Sequence, residues 1–253
     1  TSTSTSTSSS ESTSGHYPLA MVRYGTCGGV RRGVQLGAVS VASHSLLVQR
    51  QVDYFHPAVE EENSSSSAPS SASSSSSAST SAPTTAPYYF SRLVPGDAAL
   101  LEGVRVELER ELGADRVLVG ENATADSFYS SQGRADPNFE DANQSLIEDL
   151  LRAHPTLATL EMETFQLYHL AKCRRQAPLH AAAATIVLAQ RETDKFLEFD
   201  RLHQVEREGG LALLHALAKF QFADGSTAHP LDSDPRCVWN QQKQNVAAVT
   251  TTE

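Results

Sequence analysis

The stretch Ala181-Ala-Ala-Ala-Thr-Ile-Val-Leu-Ala189 is apolar at almost every position. A half-exposed strand alternates apolar with polar side chains, so an unbroken run this short, rich in small and β-branched residues, reads as a central strand covered on both faces. A strand of that kind needs a layer of helices above it and another below.

The rest of the chain offers such layers. Leu19–Tyr24 reads as a short buried strand, and Gly25, Gly28 and Gly29 after it as a tight turn. Gly37–Ala42 reads as a second strand, with Ser45–Tyr54 as a further extended stretch. Asp97 is a candidate N-cap for a helix on which Leu100, Leu101, Val104, Leu108 and Leu112 recur at helical spacing up to Gly113. Arg116–Val119 is a strand. Leu146, Ile147, Leu150 and Leu151 mark a helix that Pro155 ends. Thr156–Met162 is a strand and Thr164–Cys173 a helix with Phe165, Tyr168 and Leu170 inward. Gly209–Gly210 precedes a last helix carrying Leu213, Leu214, Leu217 and Phe220 on one side. Strands alternating with helices predict an α/β domain with a largely parallel or mixed sheet between helices, and a ligand where strands end.

Two stretches cannot belong to that core. Residues 1–14 are almost wholly Ser and Thr, and residues 63–86 are Ser, Ala, Thr and Pro with no large apolar side chain. Neither can bury enough surface to offset its ordering entropy. The expected organisation is therefore a disordered segment at 1–18, a domain over 19–222 interrupted by a disordered insertion at 63–86, and a loose tail at 223–253.

The net charge of −10 and the scatter of basic residues disfavour nucleic acid and leave small anions to a few placed arginines. Cys27, Cys173 and Cys237 are far apart without metal-ligand spacing, which fits a reducing, cytoplasmic setting. No run reaches membrane-spanning length. No HExxH, paired-cysteine, G-x-S-x-G or phosphate-loop motif is present, so neither a metal nor an organic cofactor is expected.

Four clusters could carry chemistry. In Arg23-Tyr-Gly-Thr-Cys-Gly-Gly29, a guanidinium is followed by the Thr26 hydroxyl and a glycine-rich segment, which suits a phosphate; a plain structural turn is the alternative. In Phe128-Tyr-Ser-Ser-Gln132-Gly-Arg134, an amide and a guanidinium beside an aromatic ring can read a planar heterocycle. The alternative there is a surface loop in which Arg134 pairs with Asp136. In Leu160-Glu-Met-Glu163, two carboxylates two residues apart could serve acid–base work on a sugar, accept ribose hydroxyls, or simply be solvated at a strand end, the reading that spacing alone favours. In Ala189-Gln-Arg191, an arginine at the end of a buried strand needs an anion, an acceptor or solvent.

In their order these clusters resemble the nucleoside phosphorylase family, its uridine phosphorylase branch. The likeness runs from about Leu19 to Phe222 outside the Ser-rich insertion, through Val22–Gly29, Thr124–Tyr129, Gln132–Arg134, Leu160–Glu163 and Gln190–Arg191. The resemblance implies a three-layer α/β/α fold with a central mixed sheet, here N-terminally incomplete, because members carry an earlier segment with a phosphate loop. It implies that Arg23 and Thr26 bind phosphate, that Phe128 packs on the nucleoside, and that Met162 lines the ribose while Glu163 accepts its hydroxyls. Gln132 and Arg134 would hold the uracil edge and act as the catalytic pair, with Arg191 supporting them. The implied reaction is phosphorolysis of uridine to uracil and ribose 1-phosphate, with inorganic phosphate as co-substrate, in a homo-oligomer (dimer or hexamer). The alternatives are a purine phosphorylase or nucleosidase of the same fold, and a non-catalytic nucleoside-binding relative.

Overall fold

The computed structural model describes residues 18–55, 86–175, 177–191, 193 and 195–222. The Ser/Thr-rich start, the Ser-rich insertion and the tail beyond Phe222 lie outside the described residues, apart from Pro18 and Ala86.

The apolar run forms the middle of β7, Leu179–Gln190, and is buried from Ala181 to Val187. Ala182, Ala184 and Ile186 point into one core, shared with α2, Ala98–Leu112, and α5, Phe199–Lys219. Ala181 and Ala183 point the other way, against Tyr168 of α4, Thr164–Cys173. Both faces of the strand are therefore covered, as its composition requires. Along α2, Leu100, Val104 and Leu108 repeat at four-residue intervals and are wholly buried, each worth about 1.5–3 kcal/mol in removed apolar surface. The Asp97 carboxylate accepts from the Leu100 N–H at 2.9 Å, and Gly113, at φ 93°, stops the helix.

Among the described residues eight strands make one mixed sheet. β1, Leu19–Gly29, runs parallel to β7 along its whole length. β2, Val39–Arg50, is parallel to β5, Val117–Ala125, which is parallel to β6, Leu157–Glu161. β6 meets β1 antiparallel at only two positions, Gly28 opposite Leu160 and Gly29 opposite Thr159. β7 returns to β2 through Val39–Val41, so five strands form a closed circuit. The short helix α1, Val52–Phe55, follows β2; β3, Tyr88–Phe90, and β4, Val94–Pro95, pair on β2, and β8, Lys195–Phe196, on β7. Helix α3, Leu146–Ala153, buries Leu146 and Leu150 against Leu46, Val48, Leu157 and Leu160.

Several sequence expectations change. Gly25, Gly28 and Gly29 do not form a turn, because β1 continues through them with a bulge between Cys27 and Gly28. The two stretches at 37–54 are one strand with a bulge between Ala42 and His44, followed by α1. The last helix starts at Phe199, ahead of Gly209–Gly210 rather than after them. Gly209 is tolerated there because a Cβ would strike the Tyr24 ring, whose hydroxyl donates to the Val205 carbonyl at 2.8 Å. Leu170, expected inward, is 63% exposed, and Leu214, expected on one side with Leu213, is 64% exposed while Leu213 is buried.

Candidate functional site

Because β1 and β6 pair only at the glycines, a gap opens between Arg23–Cys27 and Glu161–Glu163. A cavity of about 580 Å³ fills it. All eight residues singled out in the sequence (Arg23, Thr26, Phe128, Gln132, Arg134, Met162, Glu163 and Arg191) line this one cavity. They come from the ends of three strands and from the loop that follows β5.

One end is built on strands. Arg23, on β1, makes ion pairs with Glu161, at 3.0 Å, and with Glu163. Glu161, the last residue of β6, is almost wholly buried, whereas Glu163, two residues on and at the start of α4, is 62% exposed along its side chain. Both carboxylates meet Arg23 at the same nitrogen, Nη2, one from within the protein and one from solvent, and the solvated reading fails for Glu161. Its partners include Asn122 Nδ2 at 2.7 Å and Thr124 Oγ1 at 2.6 Å, both on β5. Asn122 in turn donates to Ser45 Oγ at 3.1 Å and accepts from Thr159 Oγ1 at 2.9 Å. Sequence reading missed Asn122, Thr124 and the depth of Glu161. The available signal was Asn122 and Thr124, two residues apart on one strand and so on the same face, here a buried one.

The other end rides on a loop. After β5, Ser130–Gln132 forms a short 3-10 turn closed by Gly133 at φ 70°. Ser127 Oγ accepts from the Ser131 N–H at 2.9 Å, and Asn143 Nδ2 donates to the carbonyls of Ser130 at 3.0 Å and Arg134 at 2.9 Å. These bonds bury Gln132. Its amide oxygen accepts from Arg134 Nη1 at 2.8 Å and also from Arg191 Nη2. Arg134 lies over the Phe128 ring, 4.0 Å from its centroid, and donates to the Phe128 carbonyl rather than to Asp136. Asp136 accepts from Asn138 instead. Burial pulls the Arg134 guanidinium pKa below its ordinary value. Gly28 makes room for Arg191: a Cβ there would sit 2.8 Å from Nε, so the arginine side chain would have to shift.

Neither the thiol nor the phenol at the cavity wall is a ready nucleophile. Burial pushes the Cys27 thiol up to about 12, and burial, with Glu206 and Glu208 nearby, also raises the Tyr24 hydroxyl. Among the described residues no group of three or more His, Cys, Asp or Glu is placed to hold a metal ion, and no helix is long and apolar enough to cross a membrane.

A mixed sheet between helices, the fold of nucleoside phosphorylases, thus holds an arginine–carboxylate end and a glutamine–arginine end across one cavity. The chain belongs to the Phosphorylase superfamily, whose signature matches residues 9–220. A uridine phosphorylase of the oomycete Phytophthora capsici is similar at 35% identity, covering 80% of this chain and 67% of that one, with a TM-score of 0.66. A Trypanosoma brucei nucleoside phosphorylase that shows uridine phosphorylase activity shares the fold at 19% identity and a TM-score of 0.56, covering 79% of this chain and 64% of that one. A Schistosoma mansoni uridine phosphorylase shares it at 16% identity and a TM-score of 0.50, covering 79% and 61%. The chain thus spans about two thirds or less of the length of these relatives. No curated protein sequence matches it.

Proposed function

We propose that this chain carries the base- and sugar-recognising part of an enzyme that splits uridine by phosphorolysis, giving uracil and ribose 1-phosphate in pyrimidine salvage and catabolism. The observation that carries the reading is the Gln132 amide held between Arg134 and Arg191 at one end of the cavity. The edge of uracil presents two carbonyl acceptors with one N–H between them. Guanidinium donors beside an amide, which supplies one acceptor and one donor, match that pattern. Family members that act on purines bring an acidic residue to the base from the last strand, where this chain has Gln190 and Arg191.

In the proposed step a phosphate oxygen attacks the anomeric carbon as the bond to uracil N1 breaks, and the electron pair passes onto the base. Arg134 and Gln132 stabilise that charge where it develops. Arg23 and Thr26 hold the phosphate, Met162 lines the ribose, and Glu163 accepts its hydroxyls, with Phe128 packed on the nucleoside. Phosphate is the co-substrate, and no metal or organic cofactor enters the step. The family likeness supports a homo-oligomer, a dimer or a hexamer, which light scattering checks.

One observation favours a second reading, nucleoside binding without turnover. Arg23 Nη2 is already held by Glu161 and Glu163, so a phosphate must displace a carboxylate to reach that nitrogen.

Uracil release from uridine by the purified chain, with and without phosphate, separates the readings. Release that requires phosphate is the expected result. Release without phosphate would replace phosphorolysis by hydrolysis, and uridine binding without release by folded protein would favour the second reading.

A further inference from the structure

We infer that Glu161 is a positioning residue that anchors Arg23 for phosphate while Glu163 is released to the ribose; this rests on the phosphorolysis reading above.

Glu161 lines the cavity, yet it has no acceptor capacity left for a substrate. Its Oε1 accepts from Asn122 Nδ2 at 2.7 Å and Thr124 Oγ1 at 2.6 Å. Its Oε2 accepts from the Glu163 N–H at 2.9 Å and faces Arg23 Nη2 at 3.0 Å. The Thr164 N–H is shared between both oxygens, at 3.2 and 3.0 Å. A carboxylate offers about four lone-pair sites, and the four hydrogen-bond donors fill them, with Arg23 held beside Oε2 as an ion pair. With its side chain only 3% exposed, Glu161 stays fixed to β5, to the start of α4 and to β1.

Glu163 is different. It bonds Arg23, but its side chain is largely in solvent and can leave. When ribose hydroxyls draw Glu163 away, Arg23 remains tethered through Nη2 to Glu161. Its Nη1, which is buried and has no hydrogen-bond partner, is the donor left for an anion. Without the inner carboxylate, the guanidinium would follow Glu163 and the phosphate would lose its fixed partner.

Glu161 also has a second task, and the two can be separated by chain length. The N–H groups of Glu163 and Thr164 at the start of α4 need an acceptor, and a shorter carboxylate two or three residues away still serves them. It cannot reach Arg23 as well. Glu161→Asp therefore keeps the helix start and loses the tether together with the bonds from Asn122 and Thr124, whereas Glu161→Gln places an NH2 among the donors and damages the helix start as well.

The experiment measures KM for phosphate and for uridine separately in the full chain, together with thermal melting. In Glu161→Asp we expect a lowered melting temperature, because Asn122 and Thr124 lose their acceptor, with KM for uridine nearly unchanged and KM for phosphate raised roughly ten- to hundredfold, the scale of a displaced catalytic group. Glu161→Gln should show the same phosphate defect with a still lower melting temperature. If Glu161→Gln fails to fold, Glu161→Asp alone decides. Unchanged phosphate KM in Glu161→Asp, or an equal rise in both constants, would overturn the inference. Should the unsubstituted chain release no uracil at all, the function reading fails separately. The tether is then read from the Arg23 guanidinium N–H resonances, assigned with Arg23→Lys. Loss of their protection from exchange in Glu161→Asp supports it, and unaltered protection overturns it.

Discussion

The two ends of the cavity are made in different ways. At the Arg23 end every functional side chain stands on or beside a strand, and apart from Glu163 the groups behind it are buried: Glu161, Asn122, Thr124, Ser45 and Thr159 form one connected hydrogen-bonded set. At the Gln132 end the side chains ride on the loop after β5, and hold one another through guanidinium–amide contacts with Phe128 half in solvent. A buried, fully paired network is costly to rearrange, while a loop end can be recomposed without touching the sheet. In the reading proposed here the first end meets what all substrates of such an enzyme share, phosphate and ribose. The second meets the base, the part by which substrates differ.

Three substitutions test that contrast. The largest effect is expected from Arg134→Ala, which should lower turnover of uridine by about 10²–10³ while leaving the melting temperature in place. A matching loss of thermal stability would mean that the base end is structural and erase the distinction. Gly28→Ala puts a methyl 2.8 Å from Arg191 Nε and so disturbs the base end from beneath. Its catalytic efficiency on uridine should fall roughly ten- to hundredfold, with KM for phosphate preserved. A phosphate defect of the same size would show that the bulge serves both ends. Thr124→Val should act on the fold first, because it removes the hydroxyl that joins Glu161 to the Phe165 N–H at 2.8 Å. Chemical denaturation should report a loss of about 1–3 kcal/mol, the cost of buried groups left without partners. No loss would mean the inner network is not the rigid half of the site.

Much of this was legible before any coordinates. The Asp97 cap, the four-residue apolar spacing of α2, its stop at Gly113 and the doubly buried β7 all follow from local chemistry, and all stand in the structure. The eight cavity residues were legible one cluster at a time, but their convergence was not, since each cluster alone also fits a turn, a surface loop or a solvated strand end. The glycine-rich stretch misled because glycine serves turns and close approach equally well. Here Gly28 makes room for Arg191 inside a strand.

The sequence by itself determined the layer architecture and the types of group available, because periodicity, caps and composition act over a few residues. Only the tertiary structure decided which carboxylate is buried, that β1 and β6 part beyond two glycines, and that the sheet closes on itself through β2 and β7. Those outcomes depend on contacts between residues more than a hundred positions apart, such as Arg23 with Glu161 and Gly28 with Leu160. Local pattern carries no record of such distant pairings, and burial, which sets the strength of every charge and hydrogen bond in the cavity, exists only once they have formed.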